Sequence, residues 1–207
     1  MKNRVASVVA FTLVGMLAAT SSQAAPLNLI PKPPDIIASF IDVAYNHSTW
    51  QFSATGWALD LDLDGVAPPD YSISTAVSNF QLTAMINNAG QPLGGALNIG
   101  GKIPALGATS GVLLTGTLFQ IGYPNPPGGE IFEFVFNTTG GDLAGIYGTR
   151  IGVILNALDS GFGGAFNHSF SNTGMGTADV FVPSPAAALG GIALLGCVVA
   201  LRKRRAN

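Results

Sequence analysis

The chain has 207 residues and a formal net charge of −2, from nine basic and eleven acidic side chains. Lys2, Arg4, Arg202, Lys203, Arg204 and Arg205 lie at the two ends, so residues 25–182 hold only Lys32, Lys102 and Arg150 against all eleven acids, a net charge of −8. That balance excludes nucleic acid as a partner and disfavours anionic polymers unless a cation bridges them, and the only cysteine, Cys197, sits in an apolar C-terminal run, leaving no disulfide or thiolate metal site before it.

Met1-Lys2-Asn3-Arg4 is a basic leader, and Val5 to Ala19 is an uncharged run with Ser7 and Thr12 as its polar interruptions. This is the order of a secretion signal. Small residues Ser22 and Ala24 then stand at the two positions a signal peptidase reads, so residues 1–24 are expected to be removed, with cleavage between Ala24 and Ala25. Residues 25–34 form an extended lead-in, because Pro26, Pro31, Pro33 and Pro34 block a helix.

Residues 35–182 have the size of one extracytoplasmic domain that buries its own core. Apolar residues recur with period two in short runs bounded by Gly, Asn and Pro, and no amphipathic helix stands out. In Asn79 to Asn87, for example, Phe80, Leu82, Ala84 and Ile86 share one face and Gln81 and Thr83 the other. Strands are also expected over Ile36 to Tyr45, Thr49 to Leu63, Tyr71 to Val77, Gly95 to Ile99, Val112 to Ile121, Ile131 to Asn137, Arg150 to Leu155 and Thr177 to Val182. Asn88 to Pro92 reads as a turn, and the breaker Tyr123 to Gly129 makes the strands around it neighbours across a long hairpin loop. The expected fold is all-β, a single antiparallel β-sandwich or barrel-like domain of about nine strands. Gly94-Gly95, Gly100-Gly101, Gly140-Gly141 and Gly163-Gly164 are placed at strand ends and bulges, since their spacing is too irregular for a repeat.

Asp60-Leu61-Asp62-Leu63-Asp64-Gly65 carries the most suggestive chemistry, because alternating Asp followed by Gly also opens calcium loops. Two readings compete. In a straight strand Asp60 and Asp64 lie about 13 Å apart at roughly 3.3 Å per residue, too far for one ion whose oxygens sit about 2.3–2.6 Å away, so the aspartates would be the wet face of a strand that buries Trp57, Leu59, Leu61 and Leu63. In the other, Asp62 and Asp64 bind calcium with groups from Gly65 to Asp70, and Asp60 stands beside them. No other cofactor is expected.

His47 and His168 are the only histidines, each in a turn-like stretch, and are read as surface residues. No nucleophile elbow, HExxH or P-loop pattern occurs, and Glu130 and Glu133, the only glutamates, fall on opposite strand faces, which disfavours a glycosidase pair. Trp50 and Trp57, with Tyr45, Phe52 and Tyr71 nearby, would make a sugar-stacking platform if exposed, though core packing is the simpler expectation. Phe132, Phe134 and Phe136 read as core.

At the C-terminus Val182-Pro183-Ser184-Pro185 precedes Ala186 to Leu201, which are all apolar or Gly, and the basic stop Arg202-Lys203-Arg204-Arg205. A helix over that run spans about 24 Å, short of the roughly 30 Å hydrocarbon core, and the basic cluster keeps its end cytoplasmic. Residues 182–207 resemble the PEP-CTERM sorting signal, a Pro-Glu-Pro-like motif followed by a short membrane helix and an Arg-rich end; Ser184 stands where Glu is usual. The resemblance implies processing by an exosortase-like enzyme, passage through an inner-membrane-anchored stage, and display at the cell surface or outside the cell, in association with exopolysaccharide. The expected function is that of a non-catalytic structural or binding protein of the envelope or matrix. The alternatives are a secreted hydrolase without a recognisable motif and a β-barrel binding a small apolar ligand.

Overall fold

The structure, a computed structural model, describes residues 25–123 and 130–183. Ten strands run through them: β1 (Asp35–Asn46), β2 (Gln51–Asp62), β3 (Tyr71–Ser72), β4 (Phe80–Ile86), β5 (Pro92–Ile103), β6 (Ala108–Gly122), β7 (Ile131–Gly140), β8 (Arg150–Asn156), β9 (Phe170–Ser171) and β10 (Gly176–Phe181). The helical content among the described residues is a 3-10 turn at Pro104–Leu106 and one helical turn, α1 (Ala144–Tyr147). All pairings are antiparallel, and β1 pairs with β2 on one side and β10 on the other, so eight strands close in the order β1, β2, β4, β5, β6, β7, β8, β10. The all-β expectation holds, and the ladder is one sheet closed on itself instead of two packed sheets.

The short strands β3 and β9 continue existing edges. β4 pairs with the first half of β2 and β3 with its end, at Asp60 and Leu61, while β10 pairs with the first half of β1 and β9 with Ala44 and Tyr45. β3 is shorter than the expected Tyr71 to Val77 because the Thr75 hydroxyl bonds the Val77 carbonyl at 2.7 Å and folds the chain into a turn. β9 has only two residues and was not foreseen. The expected hairpins are present: Asn87 to Gln91 turns between β4 and β5, and β6 pairs with β7 across 124–129, which lie outside the described residues. Residues 1–24 and 184–207, with the expected signal peptide, the membrane helix and most of the sorting motif, also lie outside them.

An eight-stranded barrel has an interior just wide enough to be filled by side chains, and this one is filled. Phe80, Leu82, Ala84 and Ile86 of β4 all point inward and are buried, as the period-two pattern requires. Phe52 from β2 meets Phe132 and Phe134 from β7 at ring-centroid distances of 5.2 and 5.5 Å. The chain between β8 and β10 then plugs one end, where Phe162 and Phe166 lie 4.7 and 6.0 Å from Phe132 and 5.5 and 5.2 Å from Tyr123. Glu130 secures that plug by accepting the backbone N–H groups of Ser160, Gly161 and Phe162. Apolar residues line the inside and Thr, Ser, Gln and Asn much of the outside, the reverse of a barrel that spans a membrane.

The lead-in makes a second, smaller core on the outer wall. Leu27 and Leu29 pack on Val135, Ile154 and Phe181. Two glycines make the sockets: a Cβ on Gly122 would stand 2.6 Å from Leu27, and one on Gly152 would stand 2.7 Å from the Phe181 ring. Glu133, only 8% exposed, accepts the backbone N–H groups of Leu27, Asn28 and Leu29. An extended, proline-rich segment with no strand partner thus places three otherwise unmatched donors on one carboxylate.

Candidate functional site

The acidic run resolves into two neighbourhoods. β2 ends at Asp62, and the chain turns at Gly65 (φ 77°) and returns as β3. Because Asp60 pairs with Ser72 and Leu61 with Tyr71, the next step along this antiparallel ladder sets Asp70 opposite Asp62. One carboxylate oxygen from each of Asp62, Asp64 and Asp70 lies within 4.8 Å of the others. That spread suits a single calcium ion, whose ligands sit about 2.3–2.6 Å from it. The turn removes the straight-strand objection: Asp62 Oδ1 accepts the N–H groups of Asp64 and Gly65 at 3.0 and 2.7 Å, Asp64 Oδ1 accepts Val66 N–H at 2.8 Å, and Asp70 Oδ2 accepts Leu63 N–H at 2.7 Å. One oxygen on each side chain is left outside these bonds. Asp60 is not in the group; it stays on β2 with the Ser72 hydroxyl donating to its Oδ1 at 2.8 Å. Asp70 is the last residue of the stretch, Gly65 to Asp70, that was expected to complete such a site.

Asp64 and Asp70 are exposed and Asp62 is half-buried, and the test is direct. If the loop binds calcium, raising free calcium to ten times Kd is expected to stabilise the protein by about 1.4 kcal/mol, and Asp64→Asn to remove the effect. Thermal unfolding with and without millimolar calcium reads this; an unchanged Tm would rule out a site of the weak affinity common in extracellular modules.

The second neighbourhood lies on the seam that closes the barrel. Asp35 on β1 is the direct cross-strand partner of Asp62, Asp179 lies on the next strand, and Tyr147 of α1 packs against the same region, its hydroxyl donating to the Val180 carbonyl at 2.9 Å. Asp35 Oδ1 is buried without a hydrogen-bond partner. Burial, then the nearby charges of Asp179 and Asp62, push Asp35 from its ordinary 3.8 up to about 7. Burial raises Asp179 as well, and burial followed by the Asp35 charge keeps Tyr147 protonated far above its usual range. Asp35 therefore binds its proton more tightly folded than unfolded. Its contribution favours folding fully below about pH 4 and is lost as pH rises through about 7, and Asp179 acts with the same sign. In calcium-free buffer Asp35→Asn is expected to raise Tm relative to the parent at pH 8 and to leave it nearly unchanged at pH 4. Parallel pH profiles for the two proteins would contradict this.

Neither histidine is assembled into a catalytic set. The His168 ring approaches Asn167 Oδ1 at 2.7 Å and the Gly161 carbonyl at 3.4 Å, while His47 uses its backbone N–H to bond Ser169 Oγ. The two stretches meet because β1 pairs with β9, yet no carboxylate orients either ring among the described residues. Glu130 and Glu133 each hold three backbone N–H groups at separate places. Of the aromatic platform, Tyr45 and Phe52 are buried and Trp50 is 40% exposed, so the residues do not share one open face. Arg150 lies over the Phe119 ring at 3.7 Å.

Compared with known protein families, curated proteins and solved structures, the chain matches none. Its chemistry is therefore read from its own residues. Among the described residues no helix is long and apolar enough to cross a membrane. The acidic loop was legible in sequence as alternating aspartates; the Asp35, Asp62 and Asp179 seam was not, because it joins strands from the two ends of the domain.

Proposed function

We propose that the chain is an exported, surface-sorted, non-catalytic structural or binding protein of the cell envelope or its matrix. The observation that carries the reading is the use to which the reactive side chains are put: both glutamates hold backbone donors, neither histidine faces a carboxylate, and aromatic rings occupy the barrel interior. That filled interior gives the hollow-barrel alternative little support.

The signal peptide and the PEP-CTERM-like tail supply the route, with signal peptidase and an exosortase-like enzyme as processing partners and the membrane as a transient anchor. The net charge of −8 supports calcium-bridged contact with an acidic polymer over direct contact, with the Asp62, Asp64 and Asp70 loop as the candidate bridge. Incubating the purified protein with envelope and matrix polysaccharides tests the non-catalytic reading: chain lengths are expected to stay constant, and any shortening would establish the hydrolase instead. Mass spectrometry of surface material tests the route, with Ala25 expected as first residue.

A further inference from the structure

A cleft of about 540 Å³ opens on the outer wall over β4, β5 and β6, where residues 74–78 stand off from the barrel. Its volume falls within the roughly 300–1,000 Å³ typical of small-ligand sites. The floor is main chain at Gly100, Gly101 and Gly111, where the β5–β6 ladder shifts register and no side chain rises to fill the space. The walls are held. Asn79, 6% exposed, accepts the Ala58 N–H at 2.8 Å and donates to the Ala58 and Gly100 carbonyls at 3.1 and 3.0 Å. Ser74 and Lys102 exchange backbone hydrogen bonds of 3.0 and 2.9 Å across the other side.

What lines this rigid frame is chemically selective. Gln81 and Asn98 are direct cross-strand partners on the outer face, which places their side chains about 5 Å apart at Cβ. These two amides and the hydroxyls of Ser74 and Ser78 make no hydrogen bond to another described residue. Amides and hydroxyls both donate and accept, as the hydroxyls of a sugar do. Val77 and Val112, 68% and 39% exposed, add apolar contact for C–H faces. Among the described residues Lys102 is the one charged side chain in the lining, and none of the eleven acids of the body joins it there.

We propose that this cleft binds a neutral sugar unit of a polysaccharide, with Gln81 and Asn98 holding its hydroxyls. The neutral class follows from charge: a polyanion would meet the field of a body at −8 for the sake of a single solvated ammonium. The inference rests on the reading of the chain as a non-catalytic binder, and it adds a neutral ligand, at a place apart from the acidic loop, to the calcium-bridged contact proposed there.

The test uses the purified mature protein with cellohexaose, maltohexaose and mannohexaose as neutral probes and oligogalacturonate as the acidic one, followed by calorimetry. At least one neutral hexaose is expected to bind, and Gln81→Ala with Asn98→Ala to weaken it at least about tenfold without moving Tm, since both side chains are exposed and unbonded. Affinity is expected to change less than about twofold between roughly 50 and 500 mM salt, and Lys102→Gln to have a similarly small effect. No binding to any neutral probe, or binding that survives the double substitution, would overturn the cleft assignment. Preference for oligogalacturonate that falls with salt and with Lys102→Gln would overturn the neutral class. Shortened oligosaccharides in the same samples would refute the non-catalytic reading, and binding would still be measured separately.

Discussion

Replacing Phe132 with Ala is expected to lower stability by about 4 kcal/mol, the largest effect of any single substitution considered. The ring lies 5.2 Å from Phe52, 4.7 Å from Phe162, 6.0 Å from Phe166 and 5.9 Å from Phe170, so it joins the strands to the plug that closes the barrel end. Removing it opens a cavity lined by large rings on fixed backbone, which cannot collapse to fill the space. Phe132→Leu keeps most of the apolar volume and is expected to lose less than half as much. Urea unfolding measures both. Hydrogen exchange supplies the mechanism, because the Ser160, Gly161 and Phe162 amides held by Glu130 should lose protection in Phe132→Ala. A loss under about 1 kcal/mol would mean that the plug and barrel do not share one core.

Glu133→Ala is expected to cost about 3 kcal/mol. The side chain is nearly buried and receives three N–H groups, including that of Leu29 at 2.8 Å in a buried setting. Hydrogen bonds to a charged acceptor contribute about 1.5–3 kcal/mol each, and the total is less than their sum because the freed Leu27 and Asn28 amides reach water. Glu133→Gln retains one acceptor oxygen and should fall between. The specific readout is the lead-in: amides of residues 27–29 should exchange quickly in Glu133→Ala while those of β4 and β5 stay protected. Uniform exchange across the molecule would show that the lead-in and barrel unfold as one unit. Unchanged stability would show that Leu27 and Leu29 hold the lead-in without the carboxylate.

The glutamates show how little a functional inventory tells about roles. In sequence they are two carboxylates near one another, and the pairing that matters for a hydrolase is their spacing across a cleft. In the fold each faces a different stretch of bare backbone, one in the lead-in and one in the plug, because those stretches lack strand partners and still need acceptors. The acidic run divides in a similar way. Period-two spacing kept Asp60 and Asp62 on β2 and put its end within one residue, though of the expected buried face only Leu61 is fully buried. Alternating Asp before Gly marked a turn, but the return of the chain beside that end was not visible. The end, between Asp62 and Leu63, separates Asp60 from Asp64, and the return admits Asp70.

By itself the sequence determined the all-β class, eight of the ten strands to within a few residues, the hairpin turns, and which faces carry Phe80, Phe132, Phe134 and Phe136, because alternation and Gly, Pro and Asn breakers are local signals. Only the tertiary structure decided that the sheet closes. An inward-facing alternation reads the same in a sandwich and a barrel, and closure depends on β1 finding β10 across most of the chain. That same pairing creates the Asp35, Asp62 and Asp179 seam, and register between β4 and β5 brings Gln81 beside Asn98. Such juxtapositions arise from contacts between segments distant in sequence, so no local pattern of residue types records them.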